Sequence, residues 1–295
     1  MSDEAAARDL GFQVTEALRE QLLTRGFVSF ELPAELVDAK AAHPLRLIEE
    51  FLSDREPGAL VIDLARESET KAEDGRVVGD LMAARGLERV AGAGPSDGGM
   101  FEIAGYYSQL REIKEAVLRE GIALRQLWYF RDIDPAVYAS RRAGESPERE
   151  PLTDLLLGLF ERFYGELTEA QRSAVTGGSN SRFQLYTQGC FIEEHQDGVE
   201  SALRDRAGEA VKSCVMMCYL NKGWREGFGG EFECALGPDG RDQLKVAPTF
   251  GRVAILDFTR FNNPHSVLEV VERGFVRNMI GREFRWPGTE ASAAG

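Results

Sequence analysis

The sequence predicts an α+β protein: a mainly helical N-terminal portion that buttresses a C-terminal jelly roll. Two observations carry this. Before residue 181, apolar residues recur at helical spacing over several long stretches. After it, short β-branched and aromatic runs follow closely (RFQLYT, SCVMMCYL, EFECAL, QLKVAP, RVAILDF, HSVLEVV, VRNMIGREF), separated by Gly, Pro and Asn turns. A chain of 295 residues, 43% hydrophobic and 28% charged, has the composition of a soluble globular protein and is long enough to bury a sizeable core.

Taken in order, residues 4–24 carry a helical pattern that Gly26 stops. FVSFEL at 27–32 alternates as a strand does, PLRLIEEFLSD at 44–54 reads as a helix, and ALVIDL at 59–64 as a short buried strand. Residues 65–100 are polar and Gly-rich, which predicts a loop region with a short helix near 79–86. A helical pattern spans 106–130, an exposed Pro/Arg/Glu-rich connection spans 131–152, and 152–175 is the strongest amphipathic helix. TGGSNS at 176–181 closes the helical part. The expected organisation is therefore 1–180 as helical buttress, 181–288 as a double-stranded β-helix, and 289–295 as a flexible tail.

Charge and composition narrow the function. A formal charge of −14 argues against a nucleic-acid partner, because that binding uses Lys and Arg to displace phosphate counterions. No apolar run reaches membrane-spanning length, and the start MSDEAAARDL is acidic where a signal peptide would be basic, so the expectation is a cytoplasmic protein. Cys190, Cys214, Cys218 and Cys234 do not suggest a disulfide framework in a chain this long. The Cys214/Cys218 spacing lies in a strand-like run, where free cysteine packs as a small hydrophobe.

The chemistry concentrates in YTQGCFIEEHQD, residues 186–197. His195 and Asp197 stand two positions apart, so on an extended segment they project to the same side. The chain has three histidines; His43 in AAHPL reads as a loop residue before a helix, which leaves His265 as the distant partner. Two histidines and one carboxylate are the facial triad of non-haem Fe(II) oxygenases, which leaves coordination positions open.

The surrounding pieces fall in a fixed order: Tyr186 and Gly189, His195 and Asp197, YLNKGW at 219–224, GGEF at 229–232, Val246, Pro248, Gly251 and Arg252, NPHSV at 263–267, then Arg277. This series resembles the 2-oxoglutarate and Fe(II)-dependent dioxygenases, in their prolyl 4-hydroxylase-like branch, over roughly residues 181–286. The resemblance implies Fe(II) bound by His195, Asp197 and His265, with 2-oxoglutarate as cosubstrate and O2 as oxidant. It implies Arg277 as partner of the cosubstrate's distal carboxylate, helped by Tyr219, with Tyr186 lining the cosubstrate pocket. Arg277 follows His265 by twelve positions, further than is usual in the branch, and Arg273 at eight is its competitor. Arg277 is preferred because VRNMIG reads as an inner strand, whereas Arg273 stands beside Gly274 in a turn. On its strand, Tyr219 shares a face with Val215 and Met217, opposite Cys214, Met216 and Cys218.

Related halogenases carry Gly or Ala where Asp197 stands, so the carboxylate implies hydroxylation over halogenation; desaturation and cyclisation use the same ligands. The expected reaction is hydroxylation of an unactivated C–H of a small molecule, an amino acid or natural-product intermediate, releasing succinate and CO2. A prolyl-type protein hydroxylase is the alternative, and a non-catalytic metal- or metabolite-binding sensor is the alternative of another class. Residues 198–212 are either a lid over the site or a solvated loop. Trp224, residues 261–263, Arg182, Arg252 and Arg260 read as packing or surface residues that a substrate could also meet. Gly229 and Gly230 read as turn geometry, because no helix follows them to make a phosphate loop.

Overall fold

The computed structural model describes residues 12–65, 71–90, 99–132, 151–165, 181–197, 211–236, 241–258, 261 and 263–287. The reading of a helix from residue 4, the glycine-rich 91–98, the 133–150 connection, the helix beyond 165, TGGSNS, the 198–210 lid, Arg260 and the 289–295 tail lie outside the described residues.

Helix α1 (Glu16–Arg25) starts at Thr15, whose side chain accepts from the Leu18 N–H, and ends at Gly26 with φ 69°. Strand β1 (Phe27–Glu31) follows at once. Helix α2 (Ala34–Leu52) is longer than the sequence suggests, and it places His43 and Pro44 inside the helix rather than before it. Val37, Ala41, Pro44, Ile48 and Phe51 make one buried stripe, and that burial outweighs the cost of about 3 kcal/mol for an interior proline. Strand β2 (Gly58–Leu64), helix α3 (Lys71–Ala83) and strand β3 (Met100–Gly105) come next; the sequence reading places no strand at β3.

The expected 106–130 helix is corrected. It divides at Gly121, φ 67°, into helix α4 (Tyr107–Arg119) and strand β4 (Leu124–Asp132). Both faces of LRQLWYFRD are apolar enough to mimic a helical repeat, because one faces the barrel interior and the other faces helices: Tyr129 packs on Phe51 and Tyr107. Helix α5 (Pro151–Tyr164) buries Leu152, Leu155, Leu156, Leu159, Phe160 and Phe163.

The remaining strands are β5 (Ser181–Tyr186), β6 (Phe191–His195), β7 (Val211–Tyr219), β8 (Phe232–Leu236), β9 (Asp242–Val246), β10 (Arg252–Asp257), β11 (His265–Val267) and β12 (Arg277–Pro287). They form two antiparallel layers, β10-β7-β12-β5 and β6-β11-β8-β9, between which the chain passes back and forth. That interleaving makes the double-stranded β-helix, and the fold class is α+β. Strand β4 joins the layers: Tyr129 pairs with Leu185 of β5, and Leu127 pairs with Phe191 of β6. Its other edge carries β2 and then β3, while β1 extends the first layer beyond β10. Helix α5 covers the outer side of the first layer, with Phe160 stacked on Phe284 at 4.6 Å. All four cysteines are buried and free, and burial pushes the Cys234 thiol up to about 12.

The Gly229–Gly230 turn fixes β8 against the segment before β12. Gly229 has φ 76°, and a Cβ there would run into the backbone oxygen of Glu269. Gly229→Ala is expected to cost about 3 kcal/mol, from left-handed strain plus the clash. Urea denaturation checks this, and a loss under about 1 kcal/mol would show that the turn relaxes freely.

Candidate functional site

Register sets the first half of the site. His195, the last residue of β6, is the cross-strand partner of His265, the first of β11. Farther along, Ile192 pairs with Val267, so three steps on β6 match two on β11. This bulge lets both Ile192 and His195 face the same cavity although their parity differs. Asp197 follows immediately. The His195, Asp197 and His265 ligand atoms all lie within 4.8 Å of one another. Asp197 Oδ1 is 3.2 Å from His195 Nε2, and Oδ2 is 3.5 Å from His265 Nε2.

Backbone carbonyls orient both rings. His195 Nδ1 donates to Glu193 O at 2.9 Å and His265 Nδ1 donates to Asn263 O at 3.0 Å, because a carbonyl can only accept. That turns both Nε2 atoms toward Asp197: protonated, they donate to its carboxylate, and deprotonated, they offer the lone pairs that a metal ion needs. Asn263 is itself anchored, its amide donating to Arg25 O at 2.8 Å. Burial pushes the Asp197 carboxyl up, but hydrogen bonds from both imidazoles outweigh it and hold the group well below the usual carboxylate range. Burial lowers the His195 pKa, and the hydrogen bond and charge of Asp197 more than reverse it, leaving a net rise. Without an ion, the three groups satisfy one another; a divalent cation would replace the shared protons.

The other half is built on β12, β5 and β7. Arg277 is the cross-strand partner of Tyr186, and Met279 is the partner of Tyr219. The Arg277 side chain is fully buried. Its Nε donates to Gly230 O at 2.6 Å, and one terminal nitrogen lies 3.5 Å from Tyr219 Oη. Its guanidinium lies over the rings of Tyr186 at 4.4 Å and Tyr219 at 5.0 Å. The other terminal nitrogen, Nη1, has no partner, and no carboxylate pairs with this cation among the described residues. A buried cation with an unmet donor is costly unless an anion completes it, so the position fits a ligand carboxylate. Gly230 shapes the cradle: a Cβ there would stand 2.8 Å from Arg277 Cδ. Burial raises both Tyr186 and Tyr219 despite the nearby guanidinium, which keeps their hydroxyls protonated. The Tyr186 hydroxyl donates to Gln184 Oε1 at 2.9 Å.

The two halves line one cavity of about 430 Å3. His195, Asp197, His265, Arg277 and Tyr186 all border it, and Tyr219 reaches it through Arg277. Val215 and Met217 face inward, while Cys214, Met216 and Cys218 are buried on the outer side. Arg273 is exposed in a turn beside Gly274. Trp224 stands away from the cavity, donating to Gly229 O at 3.0 Å, and Arg252 pairs with Glu31. The sequence reading missed Gln126 and Trp128, which reach the cavity from β4. Trp128 stacks on Tyr186 at 6.3 Å and donates to Gln126 Oε1 at 3.0 Å. Reading LWYF as a strand would have exposed them.

No helix among the described residues is long and apolar enough to cross a membrane. No curated protein matches the chain. The chain aligns with a prolyl-4-hydroxylase from Pseudomonas putida at 20% identity, covering 92% of this chain and 98% of that one, with a TM-score of 0.46. It aligns with prolyl 4-hydroxylases from Phytophthora capsici at 14% identity, covering 97% and 67%, with a TM-score of 0.48. EvdO2 from Micromonospora carbonacea var. aurantiaca, complexed with 2-oxoglutarate, aligns at 13% identity over 96% of each chain, with a TM-score of 0.46. The family model described as the 2OG-Fe(II) oxygenase superfamily matches residues 181–282. That span holds the His195–Asp197–His265 cluster and Arg277, and over it the chain is similar to the Fe(II)- and 2-oxoglutarate-dependent oxygenases.

Proposed function

We propose that this protein is an Fe(II)- and 2-oxoglutarate-dependent oxygenase that hydroxylates an unactivated C–H bond of a small molecule, releasing succinate and CO2. The observation that carries the reading is one cavity with three convergent metal ligands and a buried, carboxylate-free Arg277. His195, Asp197 and His265 are assigned to Fe(II), and Arg277 to the distal carboxylate of 2-oxoglutarate, for which the planar guanidinium fork is suited. Tyr219 is assigned as second donor to that carboxylate, and Tyr186 as the aromatic surface that holds Arg277 in place. When bound, the iron, 2-oxoglutarate and O2 supply the oxidising chemistry. The chain's own residues bind and orient. Met217, Val215 and Leu256 give the substrate side apolar walls that exclude water. A cavity of about 430 Å3 lies at the lower end of ligand sites, which range from about 300 to 1,000 Å3, and this supports a small molecule over a folded protein surface.

The test is anaerobic addition of Fe(II) and 2-oxoglutarate to the purified protein, followed by visible absorption. A weak charge-transfer band is expected in the wild type and is expected to vanish in His195→Ala. No band in folded wild-type protein would sink the assignment. Succinate release that depends on 2-oxoglutarate would remove the non-catalytic sensor reading. Stimulation by prolyl peptides and by no free metabolite would replace the small molecule with a protein side chain.

A further inference from the structure

Arg25, Gly26 and Phe27, at the junction of α1 and β1, converge on the surroundings of His265. Arg25 is the last residue of α1, and its carbonyl belongs to the final turn, where a helix leaves its carbonyls without internal partners. Asn263 takes it up, its side-chain amide donating to Arg25 O at 2.8 Å from 238 residues away in sequence. Gly26 lies against Phe261, where a Cβ would stand 2.7 Å from Phe261 Cβ, and its carbonyl accepts from the Asp257 N–H at 2.8 Å. Phe27 stacks on Phe232 at 6.0 Å, and the Phe232 ring lies 5.5 Å from the His265 ring.

Asn263 is the joint between this junction and the histidine. It is buried, and its backbone carbonyl accepts from His265 Nδ1 at 3.0 Å while its side chain reaches back to the helix end. Beyond it the chain is held by the sheet: the Ala235 N–H donates to Pro264 O at 2.9 Å, and His265 pairs with both Cys234 and His195. Asn263 precedes that ladder, so the direction of its carbonyl depends on its own anchor. His195 differs, since its carbonyl partner, Glu193, lies within β6.

We propose that Asn263 is a positioning residue for the second metal histidine, and that the end of α1 joins the metal site through it. The inference rests on the assignment of His265 to Fe(II) above. A ring whose Nδ1–H is already held presents Nε2 without first losing rotational freedom. A ring whose carbonyl partner can turn away has to be ordered by the ion itself.

Calorimetric titration of the metal-free protein with Mn(II) tests this. Asn263→Ala and Asn263→Leu are compared, because leucine fills the volume of the amide but donates nothing. Both are expected to bind Mn(II) roughly 10- to 100-fold more weakly than the wild type, as is typical when the partner that orients a ligand is lost. Val78→Ala serves as the control for a general loss of stability, since Val78 is buried in α3, which packs on β2 and α4. It is expected to keep the wild-type affinity. Once iron is saturating, 2-oxoglutarate affinity should be unchanged in the Asn263 variants, because Arg277 is held by Gly230 and Tyr219. Unchanged Mn(II) affinity in both Asn263 variants, or an equal loss in Val78→Ala, would overturn the proposal. A loss in Asn263→Ala that Asn263→Leu restores would overturn it too, by making the effect one of volume. So would a 2-oxoglutarate affinity that falls as far as the metal affinity. No Mn(II) binding in folded wild-type protein would instead remove the metal assignment itself.

Discussion

Arg277→Met is expected to weaken 2-oxoglutarate binding by about two to three orders of magnitude while leaving the ligand-free protein no less stable. The first half follows from truncating one partner of a desolvated charge pair, which costs about 2–5 kcal/mol. The second follows from the state of the arginine before ligand arrives. It is fully buried, its Nη1 has no partner, and only Gly230 O, Tyr219 and the two aromatic rings compensate it. Methionine keeps much of the volume and removes the buried charge, an exchange that is neutral or stabilising at other buried ionic sites. Thermal melts with and without Fe(II) and 2-oxoglutarate separate the two effects, since ligand raises the midpoint only where it binds. The wild type should gain on addition and the variant should not. A variant with the full ligand-induced gain would move the carboxylate contact to Arg273. One whose ligand-free midpoint falls like that of a core cavity variant would show that Arg277 is a structural residue.

A chain begun at residue 181 is expected not to fold. The eight C-terminal strands make a closed pattern on paper, but their edges are occupied by residues from earlier in the chain. β4 pairs with β5 through Tyr129 and Leu185 and with β6 through Leu127 and Phe191. β1 pairs along its whole length with β10, from Phe27 opposite Leu256 to Glu31 opposite Arg252. Helix α5 covers the outer face with Phe160 against Phe284, and Tyr164 donates to Asp257 at 3.0 Å. Truncation would open three strand edges and expose several buried aromatic and aliphatic side chains, each worth about 1.5–3 kcal/mol. Their sum exceeds the roughly 5–15 kcal/mol by which a domain is stable. Circular dichroism and size-exclusion chromatography of the 181–295 fragment check this. A soluble monomer with a cooperative melt would establish the barrel as an independent domain.

The legible parts of the site were those encoded locally. His195 and Asp197 share a side of one strand end and His265 is the histidine left in a strand-like run, so spacing pointed to the three ligands, whereas Arg277 was nominated by the family resemblance. Arg273 and Arg277 could be separated on turn chemistry, because Gly274 marks the turn at φ 84°. What was not legible depended on partners distant in sequence. β4 buries both faces, which erases the period-two signal and leaves a run that reads equally well as a helix. Gln126 and Trp128 were lost with it. The β6 bulge shows no signature in FIEEH, since it exists only relative to β11. The buried stripe through Pro44 is visible in α2, but proline argued locally for a boundary that packing overrode.

The pairing of β1 with β10 also dictates an order of events during synthesis. Phe27 leaves the ribosome long before Leu256, its partner, has been translated. The β2, β3 and β4 meander can assemble early from nearby segments, but its free β4 edge must wait for residues 181–195, and β1 must wait longer still. The nascent chain thus carries two unpaired strand edges through most of its elongation, the condition under which cellular holdases engage emerging polypeptides. Strand β1 closes on β10 only after Leu256 has emerged, and β12 pairs with β5 and β7 later still, so the strands that line the cavity become locked in register only after residue 287 has been made.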